Sequence, residues 1–134
     1  MIESGDGMSA ERRIAPRKTV DTVSVIQIVD LDTLQAVASR GDLIDASASG
    51  FLIHINRKDL SEQNYKDSLS LDLLVGKTLS VEIENMRLDV IGSIVRTRRI
   101  GTSTFELAID YSADAPQYWR ECLVDMLPQV DESN

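Results

Sequence analysis

Two short stretches hold the side chains with most to offer a ligand: Arg12-Arg13-Ile14-Ala15-Pro16-Arg17 and Asp45-Ala46-Ser47-Ala48-Ser49-Gly50. An arginine guanidinium is planar and permanently charged. Its fork of N–H donors can give two parallel hydrogen bonds to a phosphate or to paired acceptors on a base edge, and its face can stack on a ring. Lysine would keep the charge and lose that geometry. An ionised Asp45 only accepts hydrogen bonds, so it suits the donor edge of a base, while Ser47 can both donate and accept beside it. Gly50, without a side chain, lets backbone and ligand approach closely.

The overall charge is −8, from 14 Lys plus Arg against 22 Asp plus Glu, a balance that repels DNA, RNA and anionic membrane surfaces. Against that background Arg12, Arg13, Arg17 and Lys18 form a local cationic segment able to hold a small anion. Pro16 biases Ala15 toward extended backbone, so the segment reads as an arm rather than a helix. From Arg13 to Arg17 such an arm reaches at most about 13 to 14 Å.

The elements that must position these residues read as a small all-β unit. Val20–Val29 is rich in β-branched residues, Asp30–Thr33 is a turn signal, and a second extended stretch ends at Asp45, which together make a hairpin. Gly41 inside that stretch suits a bulge or bend. Phe51–Ile55 is a short apolar strand. Arg57–Leu74 is polar, with a short helix expected around Leu60–Tyr65, and Gly76 closes it. Leu79, Val81 and Ile83 alternate with Ser80, Glu82 and Glu84, the period of a half-buried strand. Asn85-Met86 turns into Leu88–Thr97, and Gly101 into the alternating Phe105, Leu107, Ile109 and Tyr111. Asp114 is placed to cap a final helix with Pro116 in its first turn, and Trp119, Cys122, Leu123, Met126 and Leu127 share one face before Pro128. Six antiparallel strands and one C-terminal α-helix predict a small β-barrel covered by the helix.

At 134 residues the chain fits one domain. Its apolar runs are too short for a membrane span. The polar N-terminus lacks the apolar core of a signal peptide, and the single cysteine, Cys122, cannot form an internal disulfide. Both point to the cytoplasm, and Cys122 itself reads as core.

The two opening stretches resemble the signature motifs of the PilZ domain family, RxxxR at Arg13–Arg17 and (D/N)xSxxG at Asp45–Gly50. Every defining position is occupied and the order is right. The second motif opens a strand, and a barrel pattern with a terminal helix follows, so the likeness spans about residues 12 to 127. Residues 1–11 and 128–134 read as flexible ends around it. The resemblance implies a six-stranded antiparallel barrel and a bacterial receptor for cyclic di-GMP that does no chemistry and needs no cofactor or metal. It also implies the ligand-binding residues Arg12, Arg13, Arg17, Asp45, Ser47 and Gly50, with Arg12 included because a basic residue before RxxxR often joins the contacts. The arm would order over the barrel as ligand arrives, changing the interaction with an unidentified effector protein. Ala46, Ala48 and the long polar connection Arg57–Gly76 depart from the usual pattern without removing a binding group.

Other classes fit less well. Asp45, Ser47 and His54 are the residue types of a hydrolase triad, but no nucleophile elbow accompanies them. One histidine and one cysteine do not make a zinc pattern, and His54 reads as a strand side chain. A single-strand nucleic-acid binder of similar shape would display stacking aromatics, whereas aromatic residues are 4% here. Arg96, Arg98 and Arg99 read as a solvated hairpin end, with Arg96 able to reach the rim of the site. The rival within the family is a degenerate domain that serves only as a protein-interaction module. Such members lack motif residues that this chain keeps.

Overall fold

The computed structural model describes residues 16–61 and 72–130. The strands are β1 (Lys18–Asp30), β2 (Gln35–Ala46), β3 (Gly50–Asn56), β4 (Thr78–Ile83), β5 (Leu88–Ile100) and β6 (Thr104–Asp110), followed by the helix α1 (Gln117–Met126). All pairings are antiparallel. They close a barrel in the order β1-β2-β3-β6-β5-β4. The expected fold is therefore present: mainly β, six-stranded, with one C-terminal helix. Among the described residues no helix is long and apolar enough to cross a membrane.

Closure rests on β1, which pairs with β2 along one side and β4 along the other. Its register slips between Thr19 and Val23 and again between Ile28 and Val29, and Gln27 adopts a left-handed φ of 52°. Such irregularities increase strand bending and twist, which a small barrel needs in order to close. Alternate side chains fill the interior: Val23 and Val25, Ile53 and Ile55, Leu79, Val81 and Ile83, Phe105, Leu107 and Ile109 are all buried.

Several expectations are corrected. Gly41 forms no bulge, since it pairs in regular register with Val25. A Cβ there would lie 2.9 Å from both the His54 carbonyl oxygen and Ile53 Cγ2, so glycine is needed for close strand packing. Asp114 does not cap α1. Its N–H donates to Tyr111 O at 3.1 Å, and the helix begins after Pro116 without a side-chain cap. Cys122 is exposed rather than core, and Met126 is 66% exposed. The helix is rolled so that its buried stripe centres on Leu123 and runs from Trp119 to Leu127, with Val124 packed alongside. At 100° per residue that roll carries Cys122 and Met126 into solvent.

Residues 128–134 were expected to be flexible, and 131–134 lie outside the described residues. The stretch 128–130 runs back along β1, where Asp21 N–H donates to Pro128 O and Val130 N–H to Thr19 O, both at 3.0 Å. The helix expected at Leu60–Tyr65 falls mostly outside the described residues, although Leu60 is buried and bridges Ala38.

This packing separates three helix substitutions. Leu123→Ala should destabilise by about 2 to 5 kcal/mol in chemical denaturation, whereas Cys122→Ser and Met126→Ala should stay within about 0.5 kcal/mol. Equal losses at Leu123 and Met126 would contradict the roll described.

Candidate functional site

The turn joining β2 to β3 is built around Ser47, which is fully buried. Its N–H donates to Gly50 O at 2.8 Å, and its Oγ accepts from the N–H groups of Ser49 at 3.2 Å and Gly50 at 3.3 Å. Serine closes a turn onto itself in this way because its short hydroxyl reaches backbone two and three residues on. Tyr111, just past β6, fastens the turn from below: its hydroxyl donates to Ser47 O at 2.9 Å and its N–H to Ser49 O at 3.1 Å. Arg120 of α1 adds a hydrogen bond to Ala48 O and stands 6.0 Å from the Tyr111 ring centre. Gly50 is required by the β3–β6 approach, because a Cβ there would run into the carbonyl oxygen of Ile109.

Against this fixed turn lies Arg17. Its Nε and Nη2 both donate to Asp45 Oδ1, at 2.9 and 2.6 Å, and its Nη1 reaches Ser47 Oγ at 3.4 Å. Lys18, the next residue, leaves in another direction and donates its ammonium to the last carbonyls of the helix, Val124 O at 2.7 Å and Leu127 O at 3.0 Å. The cationic segment is thus divided. Arg17 belongs to the site, whereas Lys18 satisfies a helix C-terminus, where exposed carbonyls and the helix dipole favour a cation. Arg12 and Arg13 lie outside the described residues.

Beside the Arg17–Asp45 pair, the outer barrel wall holds an open depression of about 440 Å³ lined by Arg17, Asp45, Leu52, Val95, Arg96 and Asp110, among others. Strand register explains its floor. Asp45 pairs with Leu52, Leu52 with Ala108, and Ala108 with Arg96. These four residues form one row across β2, β3, β6 and β5, with a small apolar floor between a carboxylate and a guanidinium.

A second row, Asp42, His54, Glu106 and Arg98, runs beside it. Glu106 is buried although it points outward, because its neighbours roof it over. His54 Nε2 lies 2.9 Å from Glu106 Oε2, and Arg98 Nη2 lies 3.1 Å and Arg96 Nη2 3.8 Å from Oε1. Burial works to raise the Glu106 pKa. The hydrogen bond from His54 and the positive charges of Arg98, His54 and Arg96 outweigh it and hold the carboxyl below its ordinary value. An ionised carboxylate only accepts, so His54 Nε2 carries the proton in this contact. The basic residues of β5 are therefore more than the solvated hairpin end expected of them.

Compared with known proteins, the sequence matches no family model, and no curated protein is similar to it. Of the residues singled out from sequence, Arg17, Asp45, Ser47 and Gly50 are brought together. Leu52, Ala108, Arg96 and Asp110 complete the depression. Only Arg96 had drawn notice in the sequence, and the others are ordinary strand residues until the register is known.

Burial pushes the Tyr111 hydroxyl up to about 12, with the charges of Arg120 and Arg17 working against it. A pKa raised in the folded state stabilises below the unfolded value near 10 and is lost as pH climbs toward 12. Tyr111→Phe strands the Ser47 carbonyl and should cost about 1 to 3 kcal/mol at neutral pH. The same substitution should flatten the loss of stability between pH 10 and 12 in thermal melts. An unchanged alkaline limb in the variant would show that Tyr111 is not its source.

Proposed function

We propose that this chain is a bacterial, cytoplasmic receptor for cyclic di-GMP of the PilZ type that passes its signal to an effector protein without chemistry of its own. One observation carries this reading. Arg17, from the RxxxR stretch, docks on Asp45 and reaches Ser47 of the DxSxxG stretch, so the ends of two motifs separated by the whole first hairpin form one site. The side chains of this ion pair are 45% and 21% exposed, and exposed pairs contribute little to stability. Fold stability alone gives little reason to keep them together.

The chemistry suits the ligand. The two phosphates need cations, which Arg17 supplies together with Arg12 and Arg13. Guanine offers O6 and N7 acceptors to a guanidinium and N1 and N2 donors to a carboxylate. A ligand phosphate competing for Arg17 would release Asp45 for a guanine edge. Ser47 shapes the rim from beneath, and Gly50 allows β3 and β6 to approach closely enough to form it.

Binding of labelled cyclic di-GMP to the intact chain should saturate, and Arg17→Ala and Asp45→Ala should each weaken it at least tenfold, the equivalent of losing about 1.5 kcal/mol of charge-assisted contact. The nucleotide should be recovered unchanged. Absence of saturable binding by the intact chain would sink the receptor reading, and consumption of the nucleotide would replace it with an enzyme.

A further inference from the structure

The row Asp45–Leu52–Ala108–Arg96 has two unlike ends, and only one belongs to the motif residues. Three interstrand steps of about 4.8 Å set Asp45 and Arg96 roughly 14 Å apart along the barrel wall. Between them Leu52 is half-buried and Ala108 is buried, so the floor is apolar and, at Ala108, shallow. A hydrated phosphate gains nothing on such a floor, whereas the flat face of a base buries apolar area there.

Three arginines on β5 lie near this end, and their commitments differ. Arg98 is engaged with Glu106 at 3.1 Å, and Arg99 Nε donates to Gly101 O at 3.1 Å. Arg96 makes no hydrogen bond among the described residues. It has only the 3.8 Å ion pair with Glu106 and keeps 59% of its side chain exposed. Its fork is held near the floor with its donors unspent. Arg96 also owes its direction to an irregularity. The β5–β6 register shifts between Ile94 and Arg96, so Val95 is an extra residue. Were Val95 part of a regular ladder instead, the alternation that buries Ile94 would turn Arg96 inward, and bulges are a known means of re-aiming a side chain beside a site. Asp110, one step along β6, lines the same depression. Its Oδ1 is taken by Ser112, from the backbone N–H at 2.8 Å and the hydroxyl at 2.6 Å, which leaves Oδ2 as an acceptor.

Building on the receptor reading above, we infer that Leu52, Ala108, Arg96 and Asp110 form a second guanine subsite. The base lies on Leu52 and Ala108, Arg96 donates to its O6 and N7, and Asp110 Oδ2 accepts from its N1 and N2. Arg96 is a base-reading residue rather than a second phosphate clamp, because the apolar floor places a ring at its fork. Its loose pairing with Glu106 limits the directions it can take without consuming its donors.

Calorimetric titration of the intact chain with cyclic di-GMP tests this. Arg96→Ala should weaken binding about tenfold, the cost of roughly one bidentate base contact. Arg96→Lys, which keeps the charge and loses the fork, should fall between. Arg99→Ala, an equal change in net charge, should alter affinity less than about twofold. Asp110→Asn, which retains an oxygen for Ser112, should weaken binding by about threefold to tenfold. The 7-deazaguanine analogue lacks the N7 acceptors, so it should bind the intact chain more weakly, and that penalty should shrink in Arg96→Ala. Unaltered melting temperatures would show that each variant is folded.

If the intact chain binds and Arg96→Ala binds equally well, the subsite is wrong and the receptor reading stands. If Arg96→Ala and Arg99→Ala weaken binding alike, or the 7-deaza penalty is the same with and without Arg96, the contribution is charge alone and base reading is overturned. Failure of the intact chain to bind removes both readings together.

Discussion

Closure of the barrel is the constraint from which the rest follows. With β1 hydrogen-bonded to β2 on one side and β4 on the other, no strand in the ring can slide or rotate independently. A one-residue slip would turn every interior side chain outward. The interior is packed with Val, Ile, Leu and Phe, so the register is fixed by burial. The outward-facing residues inherit that precision: the row from Asp45 to Arg96 and the parallel row from Asp42 to Arg98 are set by core packing on the opposite side of the same strands.

The turn at Ser47 shows how a polar device is kept rigid on such a frame. Its carbonyls and N–H groups are satisfied by its own serine, by Tyr111 and by Arg120, so little is left unpaired that would draw the loop into other shapes. Glu106 obeys a harsher version of the same rule. Its Oε1 is buried and takes no hydrogen bond among the described residues, and the charges of Arg98 and Arg96 stand beside it. Buried ionic groups of this kind add little to stability for their desolvation cost. Their effect here is to tie three strands' outward side chains into one arrangement.

Much of the fold was legible in the sequence because period-two alternation in β4 and β6 leaves little choice of face, and Pro128 and Gly101 mark the breaks. The candidate site was legible only in its motif residues. Cys122 and Met126 were misread because a helical wheel gives the width of an apolar arc but not its roll, which packing of Trp119, Leu123 and Leu127 decides. Asp114 looked like a cap because its type is right for one, yet its N–H serves a turn with Tyr111. Leu52 and Ala108 could not be recognised without pairing register. Arg96 was hidden further by the extra residue at Val95, since strict alternation through Ile94 assigns it to the wrong side.

Arg17 and Lys18 are consecutive, and one faces the outer wall while the other grips the end of α1. A single peptide unit therefore joins two sets of contacts on different elements. When Arg17 changes the direction of its backbone, the anchor of the Lys18 ammonium on the Val124 and Leu127 carbonyls must follow or yield. That unit links the barrel wall to a helix whose outer face carries Tyr118, Cys122 and Met126 in solvent. One amide is the shortest connection a chain can make between two such surfaces.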